Sequence, residues 1–530
     1  MDVDCIPFRN TNYFSNLICD YLDENPKLKQ FYNRFPNIEN FKEQIEEKKL
    51  NFSKENRQVL VDELKAQYDS VNSSEAASQN LHLLSQENTF TITTGHQLNL
   101  FTGPLYFLYK IITAINLSKV LGEKYPQHNF VPVYWMATED HDFEEINYFN
   151  IHGKKIHWNR KAKGAVGELT TSDLEEVFKL FSLELGTSKN AKELENLFKE
   201  AYLNHSNLAD ATRFLANELF KDYGLVIIDA NKRELKSLFS SIIKNELLNE
   251  TSFNAVTETN ELLSEHTNIQ VNPRDINLFY VKEDLRERIT KVDDSYLVND
   301  TEIRFSEKEI LDELEQNPER FSPNVIMRPM YQEVILPNLC YIGGGGELAY
   351  WFQLKKYFDV VRVTFPILLL RNSVLLQTEK QAKKLKKLNI STEDLFLKRD
   401  AFINKKVREI SNIDIDFTPQ KEYLQQQFKQ LYELAEQTDK SFLGAVKAQE
   451  RKQIKGLEHL EKRLLKAQKR ELADEVSRMT DIQNELFPNQ SLQERTVNFS
   501  EFYLQFGKSF IEQLIENLEP LEMDFKVLTL

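Results

Sequence analysis

The chain has little of what usually shortens a functional reading. Among 530 residues there are only three cysteines, Cys5, Cys19 and Cys340, with no C-x-x-C spacing and no even-numbered set. No disulfide framework is implied, and a reducing cytoplasm is the expected compartment. No uninterrupted apolar segment approaches the ~20 residues of a membrane span, and the start MDVDCIPFRN lacks a basic region followed by an apolar run. A soluble protein, neither membrane-bound nor secreted, is therefore expected. Basic residues are outnumbered, 67 Lys+Arg against 82 Asp+Glu, for a net charge of −15. That balance argues against a general nucleic-acid binder. The phosphate-loop motif G-x-x-x-x-G-K-[ST] is also missing, because Phe502 stands where its first glycine would precede Gly507, Lys508 and Ser509.

What remains is a chain with enough apolar and aromatic residues, 41% and 11%, to bury a large core. At ~150 residues per domain its length suggests two to four units. The polar groups of interest follow short apolar runs. The first such segment reads TFTITTGHQLNLFTGPLYFLYK, Thr89 to Lys110. Thr89 to Thr93 predicts a strand, Leu105 to Leu121 a helix, and Thr94 to Pro104 the turn between them, with Pro104 suited to the first helical turn. Gly95 and Gly103 permit backbone geometry that a Cβ resists. A strand delivering a glycine-containing loop to a helix N-terminus favours an anion, with His96 and Gln97 on the turn. A tight turn whose histidine caps the helix is the alternative.

The second segment, VPVYWMATEDHDFEEIN from Val131 to Asn147, predicts a buried strand, Val131 to Met136. Glu139, Asp140, His141, Asp142, Glu144 and Glu145 follow it. Such acids repel one another unless solvated, paired with a base or bound to a cation. Their types suit proton transfer, Mg²⁺ ligation or fixing of an amine. They also lie where the carboxyl ends of open α/β strands bind ligands. A third loop, YIGGGGELAYW, is expected to follow a strand from Val334 to Cys340 and to enter a helix, with Glu347 at the positive end. Its glycines, Gly343 and Gly344 among them, allow close backbone approach. The G-x-G-x-x-G fingerprint fails at Leu348 and Ala349, so a plain glycine-rich turn has equal standing.

The pattern reads as α/β, a core of strands alternating with helices, plus a long α-helical coiled-coil domain. Residues 1–88 form its N-terminal helical part, 89–374 the core, 375–489 the arm, and 490–530 a return to the core. Within the core, Tyr148 to Trp158 suggests a hairpin around Gly153, helices run from Ser172 to Tyr223, and Gly224 to Ala230 reads as a parallel-sheet strand with Asp229 at its end. Another strand spans Pro366 to Leu370. In the arm, a long helical stretch from Lys421 to Leu486 places Leu443, Val446, Ile454, Leu457, Leu460, Leu464, Val476, Met479, Ile482 and Leu486 mostly three or four residues apart. Nine basic residues between Lys447 and Arg470 face three acids and are read as a solvated flank.

The pieces TGHQ, LFTGPLY, ATEDHDFEEIN and GGGGELAYW, with FPILLLRNSVLL (Phe365 to Leu376) and LQERTVNF (Leu492 to Phe499), resemble the bacillithiol biosynthesis cysteine-adding family, BshC. The resemblance runs in the same order over nearly the whole chain. It implies a ligase joining cysteine to the amino group of glucosaminyl malate in the last step of bacillithiol synthesis, on a synthetase-like, Rossmann-like α/β core with inserted segments. It also implies ATP or another adenine nucleotide, Mg²⁺ with that nucleotide, and a homodimer formed through the coiled coil. Departures from the family pattern are His96, where Gln is common, and Gly345, where Pro is common.

On that resemblance His96, Asp140, His141 and Asp142 are the expected catalytic residues. Thr94, Gly95, Gln97, Gly343, Gly344 and Glu347 are expected at the nucleotide, with His96 and Gln97 at its phosphates or the developing acyl charge. Glu139, Glu144, Arg328, Arg371 and Asn372 are expected at substrate, either arginine pairing with malate carboxylates through its guanidinium fork. A protein-bound metal is left open. Competing readings are a nucleotidyltransferase or hydrolase using the Glu139 to Asp142 cluster, and a non-catalytic scaffold or RNA-binding protein on a degenerate synthetase fold.

Overall fold

In a computed structural model, which describes residues 2–69, 71–438 and 440–530, the chain divides into two units. The larger holds residues 5–375 and 493–526; the smaller holds 1–4, 376–492 and 527–530.

The larger unit is organised by a five-stranded parallel sheet built from β1 (Thr89–His96), β2 (Asn129–Met136), β3 (Val226–Asp229), β4 (Asn338–Gly343) and β5 (Ile367–Leu370). Its order is β5-β4-β1-β2-β3. All of β1, β3, β4 and β5 is buried, which is why these strands read as continuous apolar or threonine-rich runs without alternation. Helix α1 (Tyr106–Lys124) connects β1 to β2 and is itself mostly buried. From β1 the chain moves outward through β2 to β3, then returns to the other side of β1 for β4. The crevice between the carboxyl ends of β1 and β4 is therefore a topological switch point, where sheets of this kind bind ligands.

Several expected boundaries move. β1 extends through Gly95 and His96, so those residues end a strand rather than opening the turn. Pro104 precedes the α1 cap, Leu105, because Phe101, Thr102 and Gly103 all adopt positive φ and complete a sharp turn first. Asn498, from the tail, fixes this turn by donating to the carbonyls of Phe101 and Gly103 at 2.8 and 2.6 Å. The expected strand Val334 to Cys340 is instead the end of a helix, Arg328–Ile335, followed by β4. Pro337 between them marks the change. The Tyr148–Ile151 and Lys154–His157 hairpin and the helices before β3 form as expected.

Between β3 and β4 the chain inserts a five-stranded antiparallel sheet, including Leu278–Lys282 and Leu285–Val292, that the sequence reading missed. Its turns place Asp284 and Asp293 at positive φ.

Between residues 379 and 492 the smaller unit is mainly helical, and the strand Asp524–Thr529 ends in its last segment. Its long stretch is broken into Thr418–Ala435, Lys440–Glu471 and Ala473–Leu486. Val446, Met479, Ile482 and Leu486 of the expected seam are buried, whereas Leu465 takes the buried place expected for Leu464. Phe428, Ala435 and Val446 form the contact between the first two helices. No helix among the described residues is long and apolar enough to cross a membrane.

Candidate active site

At the switch point, the helix after β4, α2 (Gly345–Phe352), is closed by Glu347, whose Oε2 accepts the Gly344 N–H at 2.6 Å. The helix terminus expected to receive phosphate is thus capped by the chain's own carboxylate. The other Glu347 oxygen accepts from Lys110 at 2.6 Å, and Lys110 also donates to the Gly95 carbonyl at 2.8 Å. Burial lowers the Lys110 pKa against the pull of Glu347; burial also pushes Glu347 upward, but Lys110 outweighs it and leaves that carboxyl below its ordinary range. Thr94 is likewise engaged, donating to the Ile342 carbonyl at 2.8 Å.

His96 lies buried between the rings of Tyr106 and Phe107. Its Nδ1 is 2.7 Å from the Gln97 carbonyl. A carbonyl only accepts, so Nδ1 carries the proton and Nε2 presents a lone pair, which has no partner. Burial first, and then the Lys110 charge, depress the His96 pKa to about 3. The ring is neutral at physiological pH. Its unpartnered Nε2 is a hydrogen-bond acceptor, so the ring offers a phosphate or a developing negative charge no donor in this arrangement.

Two arginines approach from either side. Arg328 lies about 6 Å from the rings of Trp135 and Tyr341 and donates to Gln332 at 3.2 Å, with Nη2 unpartnered. It lies against Gly95, where a Cβ would make ordinary van der Waals contact, 3.7 Å from Arg328 Nη1 and 3.6 Å from the Tyr341 hydroxyl. Arg371 is buried over Tyr106 and forms a two-pronged pair with Glu494 at 2.8 and 3.1 Å. That pairing neutralises it, so Arg371 is first an anchor for the tail; only its Nε remains without a partner. Asn372 is saturated by Thr113 and the Glu519 carbonyl, which makes it structural.

The acidic segment leaves β2 one strand away. Asp140 accepts from Gln97 at 2.8 Å through Oδ2 and from the His141 N–H at 2.7 Å through Oδ1. Gln97 also donates to Glu145 at 3.0 Å, so it ties the end of β1 to the acids. Asp140, His141 and Asp142 each bring a potential ligand atom within 4.8 Å of the others, and the two carboxylates suit a cationic group. Arg286, from the missed antiparallel sheet, stacks on Phe279 and donates to His141 Nδ1 at 2.7 Å. That bond places the neutral ring's proton on Nε2 and removes its Nδ1 as a free base. Glu139 is held by the fully buried Lys236, which also donates to the Phe321 carbonyl, so Glu139 serves the fold. Glu144 accepts from Asn147 at 3.2 Å and is exposed. Asp229 accepts from Thr138 and the Asn231 N–H and closes its own turn.

Beside these groups a cleft of about 450 Å³ opens, lined by Gln97, Tyr106, Tyr148, Lys155 and Arg495 among others. The structure thus assembles His96, Lys110, Arg328, Glu347 and the Gln97–Asp140 pair from five segments: the end of β1, α1, the Arg328–Ile335 helix, α2 and the loop after β2. Lys110 and Arg286 escaped the sequence reading. A single lysine in the otherwise apolar YFLYKII was a visible signal for the first; nothing local marked the second.

Fold and site together define a Rossmann-like α/β protein with a charged crevice at the strand carboxyl ends and a separate helical arm. Residues 1–372 match the family described as bacillithiol biosynthesis BshC, N-terminal Rossmann-like domain, and residues 374–530 match its C-terminal coiled-coil domain. The chain belongs to the BshC family. A Flavobacterium johnsoniae protein named "Putative cysteine ligase BshC" is 61% identical over 530 residues, covering 100% of both chains. Proteins of the same name from Christiangramia forsetii and Cytophaga hutchinsonii are 59% and 37% identical, covering 100% and 99% of this chain and 99% and 98% of theirs.

Proposed function

We propose that this protein is a ligase that joins the carboxyl group of cysteine to the amino group of glucosaminyl malate, completing bacillithiol. The observation that carries the reading is end-to-end similarity to relatives bearing the cysteine ligase name, combined with a switch-point crevice holding both acids and uncommitted cationic donors. In this reading Asp140 and Asp142 fix the ammonium of cysteine. The unpartnered donors of Arg328 and Arg371 meet its carboxyl group. Neutral His96, through its unpartnered Nε2, accepts a hydrogen bond from the attacking sugar amine and orients it, and the proton the amine loses passes to water.

Making an amide from a carboxylate and an amine requires an activated acyl group, and an adenine nucleotide with Mg²⁺ is the proposed source. Mg²⁺ would enter with the nucleotide and supply charge for acyl activation; His141 is not available to hold it, since Arg286 engages its Nδ1, and Asp140 and Asp142 are assigned to the ammonium. The Gly343–Glu347 turn does not fit phosphate, because its first N–H is already taken by Glu347. No step is therefore assigned to a nucleotide there. The arm is proposed to pair two copies, since Tyr423 and Leu460 stay 65% and 52% exposed along an apolar groove of about 640 Å³. Asp140→Asn tests the chemistry: it keeps an oxygen for Gln97 but loses the charge. Product formation is expected to fall at least ~100-fold with the fluorescence spectrum unchanged; undiminished synthesis would remove Asp140 from the mechanism.

A further inference from the structure

The cleft beside the crevice has a composition that the ligase chemistry described so far leaves unused. Its wall joins elements that are distant in sequence. The Tyr148–Ile151 and Lys154–His157 hairpin supplies Tyr148 and Lys155; the tail supplies Arg495; the end of β1 supplies Gln97 and Asn99. Asn150 donates to the Thr496 carbonyl at 2.9 Å, and the Leu105 N–H donates to the Val497 carbonyl at 2.9 Å. The tail is thereby pinned between hairpin and loop, and Glu494, locked on Arg371, fixes the residue just before Arg495.

Three features of this cleft point to a ligand. Arg495 has neither a hydrogen bond nor an ion pair among the described residues, unlike Lys110 and Arg371, which pair with Glu347 and Glu494. Lys155 likewise has no carboxylate partner; its Nζ sits 3.6 Å above the centre of the Tyr148 ring, the kind of site that holds a cation without consuming its charge. Asn99 is only 7% exposed, lines the cleft, and has an Oδ1 with no donor. A buried acceptor without a donor is costly unless a ligand supplies one. Tyrosine rings and amide groups suit a sugar, and the two cations suit carboxylates.

We infer that this cleft is the acceptor subsite, where Lys155 and Arg495 bind the carboxylates of glucosaminyl malate and Asn99 accepts from a sugar hydroxyl or the ammonium. The assignment rests on the ligase reading. It moves malate recognition away from Arg371, whose charge Glu494 already balances, to cations that no protein group neutralises. Gln97 links the cleft to the acid cluster by hydrogen bonds to both Asp140 and Glu145, so an amine in the cleft lies close to the acids that handle cysteine.

The experiment is calorimetric titration of full-length protein with glucosaminyl malate and, separately, with methyl glucosaminide, which lacks the carboxylates. Wild type, Lys155→Ala, Arg495→Ala and the double variant are compared, with Michaelis constants for both substrates. Each substitution is expected to weaken glucosaminyl malate binding ~10-fold, the value of one charged hydrogen-bonded contact. Affinity for methyl glucosaminide and the KM for cysteine should not move, which a general folding defect would not reproduce. A double variant with wild-type affinity and KM for glucosaminyl malate, alongside a wild type that makes product, overturns the cleft assignment alone. A wild type that neither binds nor converts glucosaminyl malate overturns the ligase reading beneath it.

Discussion

Protonating His96 should weaken the larger unit, and the size of the effect follows from its surroundings. The ring ordinarily titrates near 6.5 but is held near 3 in the fold, chiefly by burial and next by Lys110. The unfolded chain therefore binds this proton more readily, so stability is complete above pH 6.5 and falls as pH drops toward 3. At pH 5 the loss amounts to about 2 kcal/mol, from roughly 1.5 pH units at 1.36 kcal/mol each. His96→Gln keeps an amide donor for the Gln97 carbonyl and removes the titration. Trp135, Trp158 and Trp351 are the chain's three tryptophans, and all lie in the larger unit, so urea unfolding followed by their fluorescence reports that unit alone. Relative to wild type, the variant should gain about 2 kcal/mol between pH 7.5 and pH 5, whatever packing offset it carries at pH 7.5. Other carboxylates and histidines titrate in both proteins and cancel. A gap that stays constant across this range would show that His96 is not held neutral, and the role of its Nε2 as a hydrogen-bond acceptor would go with it.

Two further outcomes follow from the same geometry. Lys110→Met strands the Glu347 carboxylate and should destabilise the unit by ~3 kcal/mol, toward the low end for a broken buried pair because Glu347 keeps some solvent contact; adding Glu347→Gln should restore part of it in the same fluorescence assay. In the arm, Tyr423→Glu with Leu460→Glu should convert the protein from dimer to monomer in sedimentation velocity, because both side chains would place charge in an apolar contact.

The parts of this structure legible in the sequence are those with local signatures. β1, β2 and β3 are buried on both faces, so their runs stand out, and the acids after Met136 follow directly from a strand end. Gly103 was recognisable as a position of special backbone geometry and has a φ of +62°, whereas Gly95, read the same way, lies in β1 without a positive φ. Interactions at long range were not legible. Arg371 looked available because Glu494, which neutralises it, lies 123 residues further on. His141 looked like a base because Arg286 reaches it across 145 residues. The strand Leu285–Val292, which carries Arg286, reads LRERITKV and buries only Ile289, so charged residues obscure its alternation. Glu347 appeared to leave a helix terminus open for an anion, when its own carboxylate fills that place.

The most direct test of the ligase reading is a mass-spectrometric assay of the purified protein with glucosaminyl malate, cysteine, ATP and Mg²⁺, each omitted in turn. Bacillithiol formed only in the complete mixture, with AMP or ADP alongside it, is the predicted result. A folded wild-type protein that yields no bacillithiol from the complete mixture would contradict the account.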